Sequence, residues 1–208
     1  MEARTAAKLQ IRDLLITAPA PVRKYVEAVH GGGRRINRAG ALRPDLERLN
    51  DPHQAAKFAL RQLSRHVKSL DEQIDKLDVH LTQLVAACAP TLTACRGIGT
   101  QHAAQLLIKA GPNIEQLENG GAFARRCSVA PVPISSGKTN RMRLHRGGDR
   151  KAKKTLHHIA VARIHIDPLD QVHMERRRAE GLSKRDVVRY LKRFIAREVF
   201  NALKQDLL

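Results

Sequence analysis

The sequence contains no tryptophan, and aromatic residues make up 3% of its 208 positions. A core must therefore be aliphatic, drawn from a hydrophobic fraction of 42%. Acid is scarce as well: 20 Asp and Glu face 38 Lys and Arg, for a formal charge of +18. Such a field repels basic surfaces and concentrates polyanions, so nucleic acid is the leading partner. No signal peptide, long apolar span or basic helix with aromatic anchors is present. These absences argue against a membrane and for a cytoplasmic, nucleoid-associated protein.

Cysteine is sparse. Cys88, Cys95 and Cys127 are odd in number and lack Cys-x-x-Cys spacing, which points to free thiols in a reducing compartment. His157 and His158 are adjacent, and neighbours on a helix point about 100° apart, a poor chelate. Clustered carboxylates are missing too. Asp71, Glu72, Asp75 and Asp78 fall on the outside of a long helix, while Asp167, Asp170 and Glu175 suit a helix start and a solvated face. Neither a metal site nor a cofactor is expected in this chain.

Helical periodicity is abundant, and the fold class it predicts is mainly α. Residues 3–16 form a loosely patterned helix with Leu9, Ile11, Leu14 and Leu15, ending before Pro19 and Pro21. Residues 31–52 carry Gly, Asn and Pro breaks and read as a loop with at most one short helical turn. Then Leu60, Leu63, Val67, Leu70, Ile74, Leu77, Leu81 and Leu84 repeat with 3-4 spacing until Pro90. That seam predicts a coiled-coil helix or helical hairpin and a homo-oligomer through residues 60–84; an amphipathic helix packed on its own domain is the competing reading.

A small helical domain follows, giving a division into 1–54, 55–88 and 89–208. A short helix from Pro90, a tight turn at Arg96-Gly97-Ile98-Gly99-Thr100 and a second helix closed by Gly111 and Pro112 match a helix-hairpin-helix. Arg96, Gly97, Gly99 and Thr100 are its candidate phosphate contacts. Another short helix covers about 113–127. Prolines at 131 and 133 forbid helix, and a short β-hairpin or extended loop turns around residues 137–140. Asp149 caps a helix to about residue 165, buried along Leu156, Ile159, Ala160 and Ile164. Asp167 and Pro168 start the next, which closes at Gly181. Ser183 and Asp186 cap the last, with Val187, Val188, Leu191, Phe194, Ile195, Val199 and Leu203 inward. Its predicted polar face holds Lys184, Arg185, Arg189, Lys192, Arg193 and Arg197.

The chemistry concentrates in ISSGKTNRMRLHRGGDRKAKK, residues 134–154. Arg125, Arg126, Lys138, Arg141, Arg143, Arg146, Arg150, Lys151, Lys153 and Lys154 surround Ser135 and Ser136, a density that neutralises phosphates and releases counterions. A serine here either grips phosphate or attacks it. Attack needs a base, and His145 serves only if the hairpin folds back. Local chemistry alone favours the grip.

The order of motifs adds a resemblance. RGIGTQHAAQLL, then FARRCSVAPVPISSGKTNRMRLHRGGDRKAKKTLHHIAVARI, then EGLSKRDVVRYLKRFIAREVF resembles the C-terminal domain of bacterial insertion-sequence transposases with DEDD-type catalytic domains, the IS110 family. The resemblance implies DNA transposition. It also implies a catalytic serine before a glycine, which maps to Ser136 with Ser135 as the fallback, homo-oligomers, and a structured bridge RNA as guide. It implies Mg2+ only on four acids of an N-terminal RNase-H-like domain that this chain lacks. The chain is then the serine-bearing, DNA-binding part of such a transposase, or a non-catalytic nucleic-acid-binding protein that modulates the full-length enzyme.

Overall fold

A computed structural model describes residues 1–111, 114–117, 119–136, 139–145 and 147–208, with the backbone alone described for 134–136 and 139–144. The chain is mainly α, as predicted. It divides into two compact units, Met1–Val79 and His80–Leu208. Among the described residues no helix is long and apolar enough to cross a membrane.

In the first unit, α1 (Glu2–Thr17) stops before Pro19, and α2 (Ala20–Glu27) carries Pro21 in its first turn, where a missing N–H costs nothing. Next comes α3 (Gly32–Gly40), which corrects the expectation of a loop over 31–52. Three glycines disfavour a helix there, but Ile36 and Ala39 are buried against the other helices, and tertiary burial overrides weak propensity. Gly31, at φ +96°, makes the entry turn in a conformation that suits glycine. Arg38 lies over the Tyr25 ring at 4.3 Å.

The long helix α4 (Pro52–Cys88) carries the predicted seam. Leu60 and Val67 are fully buried in a core with Ala7, Ile11, Leu15, Val22 and Val26, and Leu63 packs against it. The Arg4 guanidinium bonds Asp71 at 2.9 Å, joining α1 to α4. The chain's own helices thus cover the first heptads, as the amphipathic-helix reading has it. Farther along, Leu77 and Leu84 are exposed.

In the second unit, Leu81 and Val85 of α4 join the core of α5 (Pro90–Ala94), α6 (Thr100–Ala110), α7 (Gly120–Arg126), α8 (Arg150–Ile166), α9 (Pro168–Ala179) and α10 (Lys184–Leu207). A two-stranded antiparallel hairpin, β1 (Pro131–Ser136) and β2 (Thr139–Leu144), stands between α7 and α8. The closing residue Pro112 and the turn residue Gly137 lie outside the described residues.

The caps follow the predicted chemistry. Asp149 accepts from the Lys151 and Ala152 N–H groups, Asp167 from Leu169, and Ser183 from Asp186. Two long-range ties were not legible. Asp206 accepts from the Thr91 and Leu92 N–H groups, both at 2.9 Å, capping α5 from the far end of the chain. Arg163 donates to Asp170 at 2.7 Å and Glu198 at 2.6 Å, so one guanidinium joins α8, α9 and α10. These two carboxylates hold the Arg163 charge against the burial that opposes it.

The helix α10 packs against α5, α7, α8 and α9, so its covered arc is wider than a single stripe and turned from the predicted one. Two corrections follow. Phe194 is half-exposed with its ring edge-on to His173, while Phe200 is buried beside Phe123 at 6.2 Å. Lys192, predicted on the polar face, is only 6% exposed.

Candidate nucleic-acid interface

The hairpin is clamped at its base. Ser128 ends α7 in a left-handed conformation, φ +56°, while the Val129 N–H reaches back to the Ala124 carbonyl. The Asp149 N–H donates to Arg126 at 3.0 Å, and the His145 N–H donates to Ala130 at 3.0 Å. These bonds bring the end of α7, both hairpin ends and the start of α8 together. Gly148 makes the approach possible: a Cβ there would lie 2.6 Å from the Arg126 carbonyl oxygen and from the Ser128 hydroxyl.

Within the hairpin, Pro131 and Pro133 sit two residues apart, so their missing N–H groups fall on one edge of β1. The N–H groups of Val132 and Ile134 fall on the other, which lets β1 pair despite two prolines. The register sets Ser136 opposite Thr139, next to the turn, and Ser135 opposite Asn140. Arg141 stands opposite Ile134 and Arg143 opposite Val132. Lys138 and Arg146 lie outside the described residues. His145 stands at the hairpin base, with its ring beside Gly147 and a buried Nδ1 that has no hydrogen-bond partner.

On α8, Arg150, Lys151 and Lys154 are exposed and Lys153 is half-buried. Asp149 occupies the first N–H groups of this helix and pairs with Lys109 at 3.5 Å. The Ala152 and Lys151 N–H groups and Lys109 hold its carboxyl below the usual carboxylate range. Cationic side chains, rather than the helix end, are therefore what this face offers an anion. Arg125 and Arg126 extend it from α7 and are also exposed.

The glycine turn is a separate place. Gly97 adopts φ +75°, and a Cβ on it would meet the Arg163 Cγ at 2.9 Å, so glycine serves close packing there. Open space lies beyond Gly99, and Thr100 is half-exposed. Arg96 pairs at 3.2 Å with the buried Asp167. Because the turn meets α8 at Arg163, it lies about 18 Å along that helix from Lys151.

Among the described residues no group of three His, Cys, Asp or Glu is placed to hold a metal ion. Asp149, Asp167, Asp170, Asp186, Glu198 and Asp206 are each engaged in a cap or an ion pair, so these acids do not fit a Mg2+ centre. The rings of His102 and His157 lie tilted to that of His158, with centroids 6.1 and 6.3 Å away. Burial pushes the Cys127 thiol up to about 12, which keeps it neutral and unreactive.

The fold and this face together define a small, basic, mainly α domain built around a clamped hairpin. Residues 89–174 match the family model described as the transposase IS116/IS110/IS902 family. The match runs from the start of α5 into α9 and includes the glycine turn, the hairpin and the Gly148 clamp. A curated relative, the "Insertion element IS110 uncharacterized 43.6 kDa protein" of Streptomyces coelicolor, is 29% identical over 122 residues. The aligned part covers 57% of this chain and 30% of the relative's length.

Proposed function

We propose that this chain acts in DNA transposition as the DNA-binding, serine-bearing part of an insertion-sequence transposase. The observation that carries this reading is the clamp: it fixes a hairpin bearing Ser135, Ser136, Arg141 and Arg143 between the exposed Arg125 and Arg126 of α7 and the exposed Arg150, Lys151 and Lys154 of α8. The family match over the same residues supports it. Here Ser136 attacks a DNA phosphorus. A phosphoserine bond forms as the strand's P–O bond breaks, the serine proton passes to a base, and the leaving strand oxygen takes up a proton. The surrounding cations hold the strand and offset the charge that builds on phosphate.

Mg2+, in this reading, belongs to four acids of an RNase-H-like domain supplied outside these residues. A structured guide RNA is the second polyanion that the charge serves. Self-association uses α4 beyond Val67, where Leu77 and Leu84 are exposed. The test is recombination between a donor and a target with the acid-bearing domain restored. Ser136→Ala should abolish product, at least a hundredfold loss, while binding and its steep salt dependence persist. Recombination surviving in Ser136→Ala and failing in Ser135→Ala would move the nucleophile one residue back; survival in both would sink the serine mechanism.

A further inference from the structure

Asp167 and Lys192 are the charged side chains that the fold buries among the described residues. They differ in what answers them. Asp167 receives the Leu169 N–H at 3.0 Å and the Arg96 guanidinium at 3.2 Å. Lys192 pairs with no carboxylate among the described residues, and the charges bearing on it are cationic: Lys153 of α8 and Arg189, one turn back on α10. His157, one turn beyond Lys153 on α8, feels Lys192 in turn. Among the described residues only Arg189 of the four has an acid partner, Asp186 at 2.7 Å.

Burying most of a lysine side chain beside further cations is costly, and no carboxylate among the described residues offsets it. Burial first, then Lys153 and Arg189, hold the Lys192 ammonium below the ordinary lysine range. The two packed helices thus bring together Lys153, His157 and Lys192, none with an acid partner among the described residues. A tetrahedral oxyanion supplies acceptors in several directions and removes the repulsion. Lys153 also shares its helix turns with the exposed Lys151 and Lys154, so the cluster is continuous with the cationic face beside the hairpin.

We propose that Lys153, His157, Arg189 and Lys192 form a phosphate-binding site between α8 and α10, filled by a backbone phosphate of the bound nucleic acid or by a free phosphate group. The backbone occupant rests on the function proposed above; the site itself does not.

Lys192→Met in the full chain keeps the length of the side chain and removes its charge. Free of its like-charged neighbours, that variant should melt at a higher temperature than wild type. Its affinity for duplex DNA should drop several-fold, and the slope of log affinity against log salt should fall by about 0.9. In parallel, millimolar inorganic phosphate should raise the wild-type melting temperature above a chloride control of equal ionic strength, and should not do so for Lys192→Met. A reduced salt slope assigns the site to a backbone phosphate. An unchanged slope with phosphate-specific stabilisation assigns it to a free phosphate. Wild-type slope together with equal phosphate response in both proteins overturns the site. Absence of salt-dependent DNA binding in wild type would instead sink the nucleic-acid reading, with the phosphate arm still deciding this one. Should Lys192→Met fail to fold by circular dichroism, Lys153→Gln carries the same comparisons.

Discussion

The two units handle charge differently. Met1–Val79 has 15 Lys and Arg against 10 Asp and Glu, a net of +5, whereas His80–Leu208 has 23 against 10, a net of +13. In the second unit many of the acids are spent on architecture: Asp149, Asp167 and Asp206 cap helices, Asp186 accepts from the capping Ser183 hydroxyl and holds Arg189, and Asp170 and Glu198 hold Arg163. Among the described residues, Arg125, Arg126, Arg150, Lys151, Lys153 and Lys154 are thereby left without an acid partner. In the first unit, several acids such as Glu72 and Asp75 lie exposed on α4 among Lys68 and Lys76. The comparison teaches that net charge alone undersells the asymmetry, because where the acids are used decides which face stays positive.

The sharpest way to test the division is to strike the same heptad seam in two places. Leu60→Ala, fully buried in the first unit, should cost about 3 kcal/mol in denaturant titration. Leu77→Lys, on an exposed part of the same helix, should cost less than about 0.5 kcal/mol yet shift light scattering toward the monomer. Equal stability losses, with no change in mass, would erase the distinction between covered and open seam.

A smaller effect separates architectural acids from surface ones. Asp149→Ala should cost about 1 kcal/mol near neutral pH, the usual value of an N-cap, while Glu72→Ala should change little. The folded pKa of Asp149 is depressed, so its contribution is present above the ordinary aspartate value and is lost as pH falls through the folded one. The gap between Asp149→Ala and wild type should therefore close in acid. A gap that stays constant down to pH 2 would refute the capping account.

The smallest effect is in binding. Lys151→Gln or Lys154→Gln should lower the salt slope of DNA binding by about 0.9 each, whereas Lys8→Gln and Lys76→Gln should leave it unchanged. A slope shared equally by the two units would break the comparison.

Much of this architecture could be read directly from residue order. Ser183, Asp167 and Asp149 announce the helices they cap, and two prolines two apart allow a hairpin strand while excluding helix. The serine-bearing stretch was legible as a cationic hairpin, and its clamp was hinted at by the adjacent glycines 147 and 148. What lies beyond local reach was not. The α3 helix hides behind three glycines because Ile36 and Ala39 are stabilised by distant helices. Likewise one reason for Gly97, beside its φ of +75°, is the close approach of Arg163 from α8.

Helix content, cap positions, the hairpin and the excess of cations are written in residue order, since each depends on neighbours within a few residues. What sets those cations apart is the packing of one helix on another. Arg189 and Lys192 stand one turn apart on α10, yet one is exposed and held by Asp186 while the other is buried, with Lys153 of α8 bearing on it. The physical reason is that a helix shows its periodicity locally, but how much of its circumference is covered depends on elements packed from elsewhere in the chain.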